Sequence, residues 1–196
     1  RKLKGEMNKF GIDRAITLSA KGIFFDHLRG NDETDEVCSG DPRFIRALTV
    51  DPRRFIGYDE EIEKRKLEGF RVLRLFPEYQ GFTVRGSHVK RIAAKARERD
   101  LTLMMSAQEG MAIILELLRE FRKLRVILVG MGYSEVAELL IAMEEHDNLY
   151  VETSLLDSLD GIGMIVEKFG AERLIFGSGA PLGYVGSSLN IVRCAP

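Results

Sequence analysis

The sequence predicts an α/β protein in which helices cover a parallel β-sheet. Three observations favour this class. Short apolar runs rich in Val, Ile and Leu recur along the 196 residues, amphipathic segments lie between them, and the two kinds of segment alternate. The runs are apolar at successive positions, so both faces of each strand are expected to be buried. A sheet with one face in water would instead carry a polar residue at every second position.

Seven apolar runs predict seven strands. In chain order they are AITLSA (15–20), FIRALTV (44–50), VLRLFP (72–77), LTLMMSA (101–107), VILVG (126–130), LYVETS (149–154) and LIFGSG (174–179). Each run ends near a turn or a polar residue, and an amphipathic segment separates it from the next run. The chain therefore consists of repeated strand and helix units.

Four segments between these strands have apolar residues at positions i, i+3, i+4 and i+7, which predicts helices with one buried face. Their stripes are Val89, Ile92, Ala93 and Ala96; Met111, Ile114, Leu115 and Leu118; Val136, Leu139, Leu140 and Met143; and Ile162, Ile165, Val166 and Phe169. Ser134 is placed to cap the exposed amides at the start of the third helix.

Two architectures fit alternating strands and helices: a closed (β/α)8 barrel of the TIM type and an open doubly wound sheet. Near-regular spacing of the seven units favours the barrel, which needs eight strands. A helix-like stretch, KGEMNKFGI, precedes the first run, and the sequence stops just after SLNIVR. We therefore expect residues 1–196 to form a single domain, an incomplete barrel of about seven parallel strands, with the first strand and the last helix missing.

The composition excludes several classes of partner. The chain has 29 Lys and Arg against 30 Asp and Glu, a formal net charge of −1, so its charge predicts neither a nucleic-acid partner nor a membrane surface. Its apolar runs are far shorter than the ~20 residues that span a bilayer. Only two cysteines, Cys38 and Cys194, are present, which favours a reducing compartment and predicts a cytoplasmic protein.

Functional groups on such a sheet belong at the carboxyl ends of the strands, where the loops converge. The candidate catalytic residues there are Glu78, Gln80 and Glu152. The candidate substrate-binding residues are Lys21, His27, Ser106, Gln108, Ser154 and Ser178. A carboxylate of this group could transfer protons if burial raised its pKa. The plainer alternative is that Glu78 and Glu152 face solvent or pair with Lys21 or Arg74.

Metal ligands are scarce in this sequence. It has three histidines, and both His88 and His146 lie in or at the end of helical segments. Only His27 follows a strand, so the residues predict neither a metal site nor a cofactor. Arg74 lies inside a predicted strand, and a buried guanidinium needs an acidic neighbour or an anionic ligand. Of these two, a structural ion pair is favoured.

The stretch VGMGYSEV (129–136) is similar to a dinucleotide fingerprint, with Glu152 beyond it to meet a ribose hydroxyl. Glu135 stands where the third glycine is required, and its charge would oppose a pyrophosphate at the helix start. Turn glycines therefore explain the motif better, and a nucleotide-binding domain is the less favoured alternative.

Several segments together resemble the amidohydrolase-related family of metal-dependent TIM-barrel hydrolases and decarboxylases. They are MNKFGIDRAITLSA, RVLRLFPEYQGF, RVILVGMGY, NLYVETS and ERLIFGSGAPLGY. The last is similar to a family pattern of the form RLIFGSDxP. The family's metal site uses an HxH pair on the first strand, histidines on middle strands and an aspartate on the last. The resemblance places the family's aspartate at Gly179 of this chain and one of its histidines at Gly130 or a neighbour. A further strand, LTLMMSAQ, offers Ser106 and Gln108 at its end and no histidine. The HxH strand falls outside this sequence.

The resemblance implies a fold whose ancestral reaction is hydrolysis or decarboxylation of a small molecule, with a degenerate metal site in this chain. The protein itself would then be either a metal-independent enzyme or a binder of a small-molecule ligand. The alternative is a non-catalytic assembly role. A barrel that lacks one strand exposes an open sheet edge, so a homo-oligomer that covers this edge is expected in that case.

Overall fold

The computed structural model describes residues 2–54, 57–156, 158, 160–181 and 183–195. Seven parallel strands form one curled sheet, an incomplete α/β barrel with helices on its outer face. The strands are β1 (Ala15–Thr17), β2 (Phe44–Leu48), β3 (Val72–Arg74), β4 (Thr102–Ser106), β5 (Val126–Val129), β6 (Leu149–Glu152) and β7 (Leu174–Ile175). The predicted fold class and the number of strands are confirmed.

Ten α-helices accompany the sheet in the described part of the chain. They are α1 (Lys2–Phe10), α2 (Ala20–Phe24), α3 (His27–Cys38), α4 (Tyr58–Leu67), α5 (Pro77–Gln80), α6 (Ser87–Glu98), α7 (Met111–Glu120), α8 (Val136–Glu145), α9 (Gly161–Phe169) and α10 (Val185–Arg193). Three short 3₁₀ turns cover Ala107–Glu109, Tyr133–Glu135 and Ala171–Arg173. Every strand is therefore followed by at least one helix.

The order of strands in the sheet is the order of strands in the chain, β1 to β7, and every pair is parallel. A doubly wound sheet reverses its strand order at a switch point. The sequential order therefore contradicts the doubly wound sheet of the less favoured alternative. It also brings the carboxyl ends of all seven strands to one rim, which we call the mouth of the half-barrel.

Alternating residues of the strands pack on opposite faces of the sheet. Leu73, Leu103 and Leu128 belong to the large core between the strands and the helices. Val72 and Met104 belong to a smaller cluster on the inner face of the half-barrel. Both faces are thus apolar, which is why the strand sequences show no alternation of polar and apolar residues.

The helices differ from the sequence prediction in detail. The apolar stripe of α6 is fully buried, as predicted. In α9 the stripe is partly exposed, because Val166 faces solvent while Ile162 and Ile165 are buried. The predicted cap by Ser134 is wrong: Ser134 lies within a 3₁₀ turn, Glu135 precedes α8, and no side chain caps that helix.

Helix α10 follows β7 and corrects the expectation that the last helix is missing. Its residues Val185 and Ser188 are buried at a spacing of three, and Val192 packs against the large core. Within the residues that the structure describes, no pairing joins β1 to β7. Helices α1 and α10 meet near this gap, where the rings of Phe10 and Tyr184 lie edge to face at 6.0 Å. No helix in the described ranges is long and apolar enough to cross a membrane.

Candidate functional site

Polar side chains replace the apolar inner face at the mouth of the half-barrel. Val72, Met104 and Tyr150 pack on the inner face, and the side chains two positions later point the same way. These later residues are Arg74, Ser106 and Glu152, each the last residue of its strand. The period of the strands therefore places a guanidinium, a hydroxyl and a carboxyl group around one opening.

Glu152 is a buried carboxyl group at this mouth, with 7% of its surface exposed. Its Oε1 accepts a hydrogen bond from the Ser154 amide at 3.1 Å, and its Oε2 accepts one from the Ser154 hydroxyl at 2.8 Å. Burial raises the pKa of Glu152, and the Ser154 hydrogen bonds and the charge of Arg74 oppose this shift. Glu152 is thus a carboxyl group with a raised pKa, suited to holding or transferring a proton.

Gly177 makes room for this carboxyl group. A Cβ atom built on Gly177 would lie 0.9 Å from Glu152 Oε1, so the carboxyl group occupies the space that a side chain would need. The Gly177 amide donates to the Thr153 hydroxyl at 3.1 Å, which fixes the backbone in this position. Any residue other than glycine would displace Glu152. The sequence analysis missed this role, because a glycine after a strand is ordinarily explained by a turn.

Arg74 contributes the positive charge. The Arg74 side chain is half-buried, and its guanidinium lies 4.6 Å from the centre of the Phe76 ring. Burial lowers the pKa of Arg74, and the charges of Glu152 and Tyr79 oppose that shift. The predicted structural ion pair is not formed: no carboxylate of the described residues lies within salt-bridge or hydrogen-bond distance of Arg74. Its N–H donors remain available to an anion at the mouth.

Replacing Glu152 with glutamine is expected to change how stability depends on pH. Folding raises the pKa of Glu152 above its ordinary 4.5, so the folded state holds this proton more tightly than the unfolded chain. The stability that the proton contributes is fully present below pH 4.5 and is lost as the pH rises through the folded pKa. Urea unfolding at a series of pH values measures this. The stability of wild type relative to Glu152→Gln should fall with rising pH, and a constant or rising difference would contradict the assignment.

A second group of candidates lies beside the mouth, in a pocket of about 60 Å³ between α2, the loop after β2 and α5. We call it the α2–α5 pocket. His27 and Gln80 both line it, and each is 4% exposed. Gln80 Nε2 donates to the Gly22 carbonyl at 3.3 Å. Burial lowers the pKa of His27, with Asp26 opposing. The predicted residues His27 and Gln80 are thus brought together here.

Ser106 and Ser154 lie at the mouth, and the other predicted site residues are dispersed. Glu78 is exposed on α5, and no hydrogen bond joins it to Gln80 or Glu152 among the residues described. Lys21 forms an exposed ion pair with Glu33 at 3.1 Å.

The remaining predicted hydroxyl groups form local hydrogen bonds in loops. Ser106 Oγ accepts from the Gln108 amide at 3.3 Å, and Ser178 Oγ accepts from the Ala180 amide at 3.2 Å. The side chain of Gln108 is itself exposed. The three predicted catalytic residues therefore lie at three separate places: the mouth, the pocket and the surface.

The positions that the family resemblance assigns to metal ligands carry no carboxylate, imidazole or thiol. Gly130 and Gly179 have no side-chain donor, and their φ angles of +74° and +60° lie in the left-handed region that favours glycine. Ser106 offers only a hydroxyl, a poor ligand for zinc. In the described ranges, no group of three or more His, Cys, Asp or Glu side chains could hold a metal ion.

Several solved structures share this fold. An uncharacterized TIM-barrel protein from Bordetella bronchiseptica has a TM-score of 0.77 and 17% identity, covering 99% of this chain and 74% of that one. The 5-carboxyvanillate decarboxylase of Novosphingobium aromaticivorans gives 0.77 and 18%, with coverage of 97% and 74%. The 2,6-dihydroxybenzoate decarboxylase of Rhizobium gives 0.75 and 16%, with coverage of 99% and 81%. These identities establish a shared fold only.

Among curated proteins, no sequence matches the chain. The family model of the amidohydrolases matches residues 19–184, which include every strand from β2 to β7 and all the candidate residues of the mouth and the pocket. This match extends over most of the chain and agrees with the fold of the solved structures. The chain therefore belongs to the amidohydrolase family.

Proposed function

We propose that this protein binds a small carboxylic acid at the mouth of the half-barrel, in an amidohydrolase-family site that has lost its metal ligands. One observation carries the proposal: the half-buried guanidinium of Arg74 has no carboxylate partner among the described residues. A buried guanidinium without a counterion is costly, and a ligand carboxylate would provide two parallel hydrogen bonds to it. Binding then requires no divalent cation.

Glu152 gives this site its proton chemistry. The Glu152 side chain lies on the same inner face as that of Arg74, and its buried carboxyl group has a raised pKa. In its protonated form it does not compete with a ligand for Arg74, and it can donate a hydrogen bond to the bound acid. We assign Arg74 as the anchor of the anion and Glu152 as the group that donates or accepts a proton. The ancestral activity would be hydrolysis or decarboxylation.

The ligands of similar folds support an acidic ligand. One neighbour is a 5-carboxyvanillate decarboxylase with bound manganese and a nitrobenzoic acid, and another is complexed with 2,6-dihydroxybenzoate. A third is a probable 2-pyrone-4,6-dicarboxylic acid hydrolase from Acinetobacter baumannii with citric acid bound. All of these ligands carry carboxyl groups. A mouth that has Arg74 and, in the described part of the chain, no cluster of metal ligands is consistent with binding such a group through the guanidinium alone.

Titration of EDTA-treated protein with 2,6-dihydroxybenzoate tests this proposal by calorimetry. We expect saturable binding that added Mn²⁺ or Zn²⁺ does not strengthen. Arg74→Met should weaken it by at least about tenfold, the loss of a charge-assisted hydrogen-bond pair. Arg71→Met is the matched control, because Arg71 is exposed three residues earlier in the chain. Binding that requires a metal, or that survives Arg74→Met unchanged, would refute the proposal.

Incubation with 2,6-dihydroxybenzoate also tests whether the protein is a binder or an enzyme. Release of carbon dioxide by the metal-free protein, lost in Glu152→Gln, would assign proton transfer to Glu152. Without such release, Arg74 would act in binding alone. In both cases the loss of the metal ligands is tested independently, by whether Mn²⁺ or Zn²⁺ binds the protein at all.

A further inference from the structure

We propose that the α2–α5 pocket binds the ammonium group of a small primary amine. This site is separate from the carboxylate site at the mouth, and its test does not depend on the outcome there. The proposal rests on the geometry of the pocket: two buried acceptor atoms without partners, carboxylates in its wall and exposed aromatic rings at its opening.

The two acceptors are Gln80 Oε1 and His27 Nδ1. Both atoms are buried, and neither has a hydrogen-bond partner among the residues described. The Gln80 amide is oriented by the bond from its Nε2 to the Gly22 carbonyl, so its Oε1 must accept from another group. A buried acceptor without a donor costs free energy, which a ligand with N–H donors would recover.

His27 can act as the second acceptor. Because burial lowers the pKa of His27, the ring is neutral near pH 7. A neutral ring with its proton on Nε2 presents Nδ1 as an acceptor. An ammonium group has three N–H donors in a compact head, which matches a wall that offers two unpartnered acceptors and two carboxylates.

The wall of the pocket carries two carboxylates, Asp26 and Asp51, and two guanidinium groups, Arg53 and Arg54, and the carboxylates are the more buried members. The charged groups that act on His27 are the carboxylates of Asp26, Glu61 and Asp51 and the guanidinium of Arg54. Glu61 is neutralised by Arg65 at 2.6 Å, Asp26 by Arg54 at 3.0 Å and Asp51 by Arg53 at 2.8 Å. Arg53 and Arg54 are more than half exposed and so are screened by water, whereas Asp51 and Asp26 are the more buried members of their pairs.

Aromatic rings form the opening of the pocket. Phe24, Phe25 and Tyr79 line it and are all largely exposed, and the rings of Phe24 and Tyr79 meet edge to face at 5.5 Å. Ring faces attract an ammonium group, and exposed rings also cover the carbon chain that carries it. A volume of about 60 Å³ exceeds the roughly 10–15 Å³ that one water molecule needs, so the pocket admits the head of an amine while its chain lies against the rings.

Nuclear magnetic resonance titration with propylammonium chloride tests the proposal, with 1-propanol and sodium propionate as neutral and anionic probes of similar size. The signals to follow are the Gln80 side-chain amide and the Gly22 backbone amide. We expect propylammonium to shift both signals saturably, and propanol to bind at least about tenfold more weakly, as the loss of charge-assisted hydrogen bonds requires. Ionic strength is held constant with KCl.

Two variants sharpen the test. Gln80→Leu removes an acceptor and should weaken propylammonium binding by about tenfold. Gln108→Leu, at an exposed glutamine outside the pocket, should change nothing. Equal shifts with propanol would show a water-filled pocket without cation preference, and stronger binding of propionate would show an anion site at Arg53 and Arg54. Either result, or no effect of Gln80→Leu, overturns the proposal.

Discussion

Arg65→Met is expected to lower the free energy of unfolding by about 3–5 kcal/mol, the usual cost of breaking a buried ion pair on one side. Arg65 is 2% exposed, and its Nε donates to Glu61 Oε1 at 2.6 Å. Its other nitrogens donate to Glu68 at 2.9 Å and to Asp32. Glu61 is itself 5% exposed, so removing the guanidinium leaves a buried carboxylate without its counterion.

The effect should be specific to burial. Arg91→Met is the matched control: Arg91 pairs with Asp59, but its side chain is 58% exposed, so its loss should cost about 0–1 kcal/mol. Adding Glu61→Gln to Arg65→Met should restore part of the lost stability, because it removes the unpaired charge. Urea unfolding of the four proteins measures these differences. Equal losses in Arg65→Met and Arg91→Met would contradict the argument.

This network also holds the α2–α5 pocket in place. Asn31 Nδ2 donates to Glu61 Oε1 at 2.8 Å and to the Thr49 carbonyl at 3.0 Å, which ties α3 to α4 and to the end of β2. His27 begins the same helix α3. Loss of Arg65 should therefore loosen the helix that carries His27, and propylammonium binding should weaken along with stability.

The strands could be predicted from sequence because burial on both faces leaves an unbroken apolar run, and the sequential order follows from repeated strand and helix units. Helix α3 could not. Its buried residues are His27, Gly30, Asn31, Thr34 and Cys38, which have helical spacing but are small or polar. The stripe of α3 is held by hydrogen bonds and a close glycine contact in place of aliphatic packing. An analysis of hydrophobic periodicity therefore cannot detect it.

The burial of the candidate site residues could be predicted only in part from the sequence. The carboxyl ends of the strands form one rim, as the alternation of strands and helices predicts, and Glu152, Gln80 and His27 are buried near it. The sequence could not show whether Arg74 has a carboxylate partner, because this depends on which strands face each other across the half-barrel. Gly177 was missed for a similar reason: the side chain that fills its empty position comes from another strand, 25 residues earlier in the sequence.

Gly30→Ala is expected to lower the free energy of unfolding by about 2–3 kcal/mol through overpacking. A Cβ on Gly30 would lie 2.2 Å from the Gly22 amide nitrogen and 2.3 Å from Gly22 Cα. These are backbone atoms of α2, so no side-chain rotation can relieve the clash and α2 must move as a unit. On its other side, Gly22 faces the side chain of Thr49, with only 3.0 Å between a Cβ at Gly22 and Thr49 Cγ2.

Gly5→Ala provides the matched control, because Gly5 also lies inside a helix, α1, but a Cβ there meets nothing within 4 Å. It should raise the free energy of unfolding by about 0.5–1 kcal/mol, the helix propensity gained from alanine. The Gly22 carbonyl orients the Gln80 amide, so Gly30→Ala should also weaken propylammonium binding, whereas Gly5→Ala should not. If Gly30→Ala proved as stable as Gly5→Ala, the close approach of α2 and α3 would not be what shapes the pocket.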